Sequence, residues 1–164
     1  PLFHPFLYGG RMGAHQRGGF FGLAGWHGEG HMLRAIFEGV MFEHRRHVGV
    51  LAEAGVTFAS AALSGGGSRS AHWPKMFADG LGVPVTVADC AETGALGAAI
   101  AAAVGAGFHA DESVAVRAMT RLARTHEPDP TMREYYNRRY SIWTRLTETV
   151  DPLWRELGER KARS

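Results

Sequence analysis

Leu63-Ser64-Gly65-Gly66-Gly67-Ser68-Arg69-Ser70 is the stretch whose residue types are best suited to holding a ligand. Three successive glycines let the backbone take positive φ and leave it bare of Cβ atoms, so a flat molecule can lie directly against the main chain. Small and β-branched residues over 56–63 lead into it, and a helical pattern begins near Ala71. That order predicts a strand, a glycine turn and a helix. The free N–H groups at the start of a helix favour anionic groups, so the ligand this combination suits is a nucleotide.

Three readings of the turn compete. A P-loop requires a lysine followed by Ser or Thr after its last glycine, to hold the β and γ phosphates; here Ser68, Arg69 and Ser70 follow Gly67, which excludes it. A dinucleotide fingerprint comes closer. Gly65 and Gly67 supply its first two glycines, and Asp89 closes the next strand where a ribose-binding acid belongs. Its third glycine is replaced by Ser70, a residue better suited to an N-cap or to a hydrogen bond with a ligand. The plainest reading is a tight turn with no ligand.

Other chemistry-bearing residues are less ordered. His27, Glu29, His31, His44 and His47 crowd one region, and His27 and His31 are one helical turn apart, which is metal-ligand spacing. The zinc-protease motif is not matched, because the glutamate lies midway between the histidines, so these read as surface or satisfied core histidines. Glu92 opens a helical segment and would complement its dipole. Cys90 is the only cysteine, which excludes an internal disulfide and fits a reducing, cytoplasmic setting.

These residues need a scaffold. Apolar residues Met32, Leu33, Ile36, Phe37, Val40, Met41, Val48 and Leu51 recur at helical spacing over 28–53 and predict a helix buried along that face, with Glu38, Arg45 and Arg46 opposite. Gly39 within it costs about 1 kcal/mol relative to alanine, so a close neighbour is expected there. Before it, residues 1–8 read as extended, and Phe20 and Phe21 as the anchors of a short strand or turn. After the glycine turn, Trp73, Met76, Phe77 and Leu81 predict a helix ending at Gly82. Pro74, most at ease at the first helical position, suggests a start later than Ser70. A short strand follows over 84–87, then a buried helix opening at 92–100, a further helix over 114–124, and a break at Glu127-Pro128-Asp129-Pro130. A last helix is predicted from about Thr131 towards Leu157, with its aromatic residues as docking contacts. Residues 1–157 read as one domain and 158–164 as a polar tail.

The chain has 164 residues, 45% of them hydrophobic and 21% charged, with a formal net charge of +2. This is the composition of a globular protein with a sizeable core. The arginines are spread along the sequence, which argues against nucleic acid as partner. The longest uncharged stretch, 93–108, falls short of the ~20 apolar residues of a membrane span. The sequence opens on Pro1, and the expectation is a piece of a longer polypeptide.

Four segments, in order and spacing, resemble the C-terminal domain of the FGGY family of carbohydrate kinases: Arg17-Gly18-Gly19-Phe20-Phe21-Gly22-Leu23, Leu33-Arg34-Ala35-Ile36-Phe37-Glu38-Gly39-Val40, the glycine turn itself, and Glu92-Thr93-Gly94-Ala95-Leu96-Gly97-Ala98-Ala99. The likeness covers nearly the whole chain and is nearest to xylulose kinase-like members. His4-Pro5-Phe6-Leu7-Tyr8-Gly9 and Glu43-His44-Arg45-Arg46-His47-Val48 look most like the L-xylulose kinase branch. The resemblance implies an α/β fold, the C-terminal half of an actin-like ATPase (ribonuclease H-like), present as an incomplete fragment. It implies ATP with Mg2+ in a cleft shared with a missing N-terminal kinase domain, and Gly65, Gly66, Gly67, Arg69 and Ser70 as cofactor-binding residues. Arg69 would stand beside the adenine.

The implied reaction is transfer of the ATP γ-phosphoryl group to a hydroxyl of a pentulose or related sugar or polyol. Its catalytic aspartate falls outside this chain, so no catalytic residue is assigned and the fragment alone is expected to be inactive. A homodimer is compatible with the resemblance. Pro74 departs from the family pattern, where a polar residue is usual. Two other readings stand beside this one: a NAD-dependent oxidoreductase domain using Gly65, Gly67 and Asp89, and a non-catalytic actin-like nucleotide-binding module. The kinase reading requires the main chain at Gly65 to Gly67 to face an open groove.

Overall fold

The computed structural model describes residues 1–161, with side chains except at 122, 123 and 159–161. It divides into two compact units, one formed by residues 1–57 and 131–164 and the other by 58–130.

In the first unit, strand β1 (Leu2–His4) pairs antiparallel with β2 (Gly19–Phe21), Phe3 opposite Phe20. The rings of Phe3 and Phe20 lie 4.8 Å apart and those of His4 and Phe21 4.6 Å, the anchoring role expected of Phe20 and Phe21. Helix α1 (Glu29–Glu53) packs on β1 and on α5 (Arg133–Lys161).

The buried face of α1 is not the predicted one. Ala35, Glu38, Gly39, Met41, Phe42 and Arg46 are buried, whereas Leu33, Phe37 and Leu51 are exposed. Glu38 and Arg46, assigned to the solvent face by their charge, are tolerated inside because partners reach them. Glu38 accepts hydrogen bonds from Arg34 (2.9 Å), Tyr135 (3.1 Å) and Arg139 (2.8 Å). Arg46 pairs with Glu43 and lies over the rings of Phe6 and Trp143. A buried charge is stable only with such compensation.

Gly39 meets β1 as closely as its helix-interior position suggested. A Cβ there would stand 3.1 Å from the Phe3 carbonyl carbon and overlap its oxygen. Gly39→Ala is therefore expected to destabilise by about 1–2 kcal/mol, the overpacking outweighing the gain in helix propensity. Gly49→Ala, on the same helix with nothing within 4 Å of the new Cβ, is expected to stabilise by about 0.5–1 kcal/mol. Denaturant midpoints of the two variants check the pair.

In the second unit, β3 (Ala61–Leu63) runs parallel to β4 (Val85–Ala88), and β5 (Leu122–His126) pairs antiparallel with β4 on its other side. Of the extended stretch expected over 56–63 only the last three residues join the ladder. Helix α2 (Trp73–Leu81) ends on Gly82 at φ +74°, as predicted, and Phe77, Ala78, Val85 and Val87 are buried around it. Helix α3 (Thr93–Gly105) packs against α4 (Glu112–Met119). The expectation that α3 is buried fails, since only Ile100 is buried and an added Cβ at Gly94 or Gly97 meets nothing within 4 Å. Alanine and glycine signal burial by composition alone, and here the described residues cover one position.

The helix predicted over 114–124 is also corrected. It stops at Met119, Thr120 turns extended, and the following residues form β5. Helix α5 contains Pro152 and extends to Lys161, into the stretch read as a polar tail; residues 162–164 of that tail lie outside the described residues.

Candidate functional site

The glycine turn leaves the C-terminal end of β3, and residues 89–92 leave the same end of β4, because the two strands are parallel. Loops at the carboxyl edge of parallel strands are where ligands bind in open α/β sheets. Gly65 takes φ +83°, a conformation that side chains resist, and opens a single 3₁₀ turn over Gly66–Arg69. Gly65 and Gly66 are exposed, and a Cβ on either would meet nothing within 4 Å. Two of the three glycines that the kinase reading requires to be open thus present bare main chain.

The rest of the turn is committed to holding that main chain in shape. At Gly67 an added Cβ would come within 2.6 Å of the Trp73 ring, so this glycine is covered rather than open; its lack of a side chain serves close packing. Ser68 is buried and donates from Oγ to the Gly65 carbonyl at 2.7 Å. Ser70 Oγ accepts hydrogen bonds from the amides of His72 (3.2 Å) and Trp73 (3.1 Å), bracing the approach to α2, but the N-cap is His72 and not Ser70 as its type suggested. Pro74 sits in the first turn of α2, which therefore begins at Trp73.

Arg69 does not project freely. Its Nη2 donates to the Ala91 carbonyl at 3.1 Å and to Glu92 Oε1 at 2.5 Å, joining the glycine turn to the N-terminus of α3. Arg124 of β5 donates to the Ser68 carbonyl at 3.2 Å. Sequence reasoning missed Arg124 and the partner of Arg69, because neither contact has a local signal. Asp89 is exposed, and its amide donates to the Arg121 carbonyl at 2.8 Å.

The four histidines in and before α1 that the sequence singled out are engaged locally. His27 Nδ1 accepts from the amide of Ala24 (2.8 Å) and its ring stacks on Trp26. His31 Nδ1 accepts from the amide of Gly28, His44 pairs with the Val40 carbonyl, and His47 lies 3.4 Å from Glu43. Among the described residues no group of three or more His, Cys, Asp or Glu is arranged to hold a metal ion, and no helix is long and apolar enough to cross a membrane.

Residues 5–106 match the model of the C-terminal domain of the FGGY family of carbohydrate kinases. The chain belongs to that family. It is 36% identical over 158 residues to the L-xylulose/3-keto-L-gulonate kinase of Escherichia coli (strain K12), covering 96% of this chain and 32% of that protein. It is 33% identical over 152 residues to a probable L-xylulose kinase of Pasteurella multocida (strain Pm70), covering 93% and 30%. The crystal structure of xylulose kinase from Rhodospirillum rubrum superposes with a TM-score of 0.78 at 33% identity, over 94% of this chain and 31% of that one. The chain thus spans 30–32% of the length of these relatives. Membership sets aside the oxidoreductase reading built on Gly65, Gly67 and Asp89. Ser70, in place of the fingerprint's third glycine, accepts from the amides of His72 and Trp73 ahead of α2.

Proposed function

We propose that this chain is the ATP-binding portion of a kinase that transfers the γ-phosphoryl group to a hydroxyl of a pentulose or a related sugar or polyol. The observation that carries the reading is the bare main chain of Gly65 and Gly66 at the carboxyl edge of a parallel strand pair, in a chain of the FGGY family. In this reading the adenosine rests against Gly65 and Gly66. Gly67 and Ser70 shape the turn beneath it, and Arg69 stands at its edge. The names of the relatives, L-xylulose kinases among them, favour a pentulose as acceptor.

Phosphoryl transfer of this kind is mostly positioning and charge stabilisation, completed when the parts of the enzyme close over the substrates. We assign no base to this chain. An aspartate in the remainder of the protein takes the hydroxyl proton, so the chain by itself is inactive; an intact protein lacking such an aspartate would instead be a non-catalytic nucleotide-binding module. With no metal-holding group among the described residues, Mg2+ is assigned no ligand here and accompanies the nucleotide's phosphates. Cys90 as the single cysteine fits a cytoplasmic setting, and a homodimer is the assembly to test by light scattering.

Gly66→Val tests the reading cleanly. The new side chain enters open space at a residue whose φ is not positive, so the fold tolerates it while a nucleotide against the main chain does not. In the intact protein KM for ATP is expected to rise about tenfold or more, with the melting temperature nearly unchanged. An unaltered KM for ATP would overturn the assignment.

A further inference from the structure

We infer that Arg69 serves the nucleotide site as a positioning residue, neutralising Glu92 and fixing the gap between the two loops at the carboxyl edge of β3 and β4, rather than as a direct contact to the base. The inference rests on the proposed nucleotide site and specifies how it is held. Arg69 is the last residue of the 3₁₀ turn, and Glu92 immediately precedes α3. One guanidinium nitrogen reaches both the Glu92 carboxylate at 2.5 Å and the Ala91 carbonyl at 3.1 Å. A single side chain therefore ties the loop after β3 to the loop after β4.

The pair's exposure decides what it is for. The side chains of Arg69 and Glu92 are 58% and 74% exposed, and ion pairs this open contribute little to folding stability. The turn has other supports within the unit: Ser68 on the Gly65 carbonyl, Arg124 on the Ser68 carbonyl and the Trp73 ring on Gly67. What the pair does control is local charge. Glu92 is an exposed carboxylate at the edge of the sheet where a polyanionic nucleotide would sit, and without Arg69 its negative charge opposes binding. With Arg69 in place the Glu92 charge is covered and the spacing of the loops is set.

This predicts a pattern that a direct contact would not produce. In the intact protein Arg69→Ala is expected to raise KM for ATP about fivefold, with the effect in KM rather than kcat and the melting temperature almost unmoved. Adding Glu92→Gln to Arg69→Ala removes the uncovered charge and should return KM to within about twofold of the parent value. Arg69→Lys, which keeps the charge without the two-acceptor fork, should fall between parent and Arg69→Ala. If Glu92→Gln gives no rescue, or if Arg69→Ala leaves KM for ATP unchanged, the positioning role is overturned. Gly66→Val separates this failure from that of the site itself: a raised KM in Gly66→Val without rescue in the double variant defeats only the role of Arg69, whereas an unchanged KM in Gly66→Val defeats both.

Discussion

Trp143→Ala is expected to cost about 3–5 kcal/mol of stability, a large part of what holds a domain of this size together. Trp143 is fully buried on α5 and is the hub around which the first unit is packed. Its ring lies against those of His4 (5.3 Å), Phe6 (5.8 Å) and Phe42 (6.0 Å), which come from the N-terminal segment and from α1. Its Nε1 donates to the Phe3 carbonyl at 2.8 Å, and the Arg46 guanidinium lies 5.8 Å over its face.

Removing the indole opens a cavity, strips the carbonyl of its donor and uncovers a buried cation. The three losses share one site, so they will not add as independent terms. Trp143→Phe separates them in part: it retains most of the volume but no donor, and should cost less than Trp143→Ala, about 1–3 kcal/mol for the unsatisfied carbonyl plus a smaller void. Urea denaturation of the intact protein, followed by circular dichroism, checks the order. Equal stability of Trp143→Ala and the parent would show that the packing described here does not hold the unit together.

The extent of the long helices was legible because their signal is local and repeated. Twenty-five residues of helical periodicity place α1 at Glu29–Glu53, nearly at the predicted ends. Its orientation was not legible, since the apolar residues run around more than one side and the deciding contacts involve charged Glu38 and Arg46. Their acceptability inside depends on Tyr135, Arg139, Phe6 and Trp143, most of them about a hundred residues away in the sequence.

Strand β5 failed for a related reason. Five residues that include Arg124 and His126 carry no strand pattern of their own and become a strand through their pairing with β4. At the candidate site the sequence marked where the turn is, because three glycines and a following serine are informative by type. It could not apportion roles within the turn. Gly66 and Gly67 are identical in sequence, yet one faces open space and the other lies under Trp73; only the placement of α2 distinguishes them.

The same core carries a dependence on pH. His4 is fully buried, enclosed by the rings of Phe6, Phe21 and Trp143; its Nε2 faces Thr147 Oγ1 at 3.3 Å, and its Nδ1 has no hydrogen-bond partner among the described residues. Burial lowers its pKa from 6.5 to about 4; a hydrogen bond with the Trp143 backbone opposes the shift and the nearby Arg46 charge adds to it. In the folded protein the imidazole therefore stays neutral down to about pH 4, while in the unfolded chain it takes up a proton below about pH 6.5. Between those values the unfolded state binds more protons, so stability falls as the pH falls. Above the window both states are neutral and below it both are protonated, so this residue adds no slope outside it. The full contribution is about 3 kcal/mol.

His4→Phe is the informative variant. Its stability at pH 7 is set by packing and can differ from the parent in either direction, but it lacks the titrating group. Its stability relative to the parent should therefore improve by about 3 kcal/mol between pH 7 and pH 4, measured by urea denaturation at a series of pH values. Parallel curves for the two proteins across that window would mean that His4 is not held neutral by its surroundings, and that the aromatic enclosure is open to water.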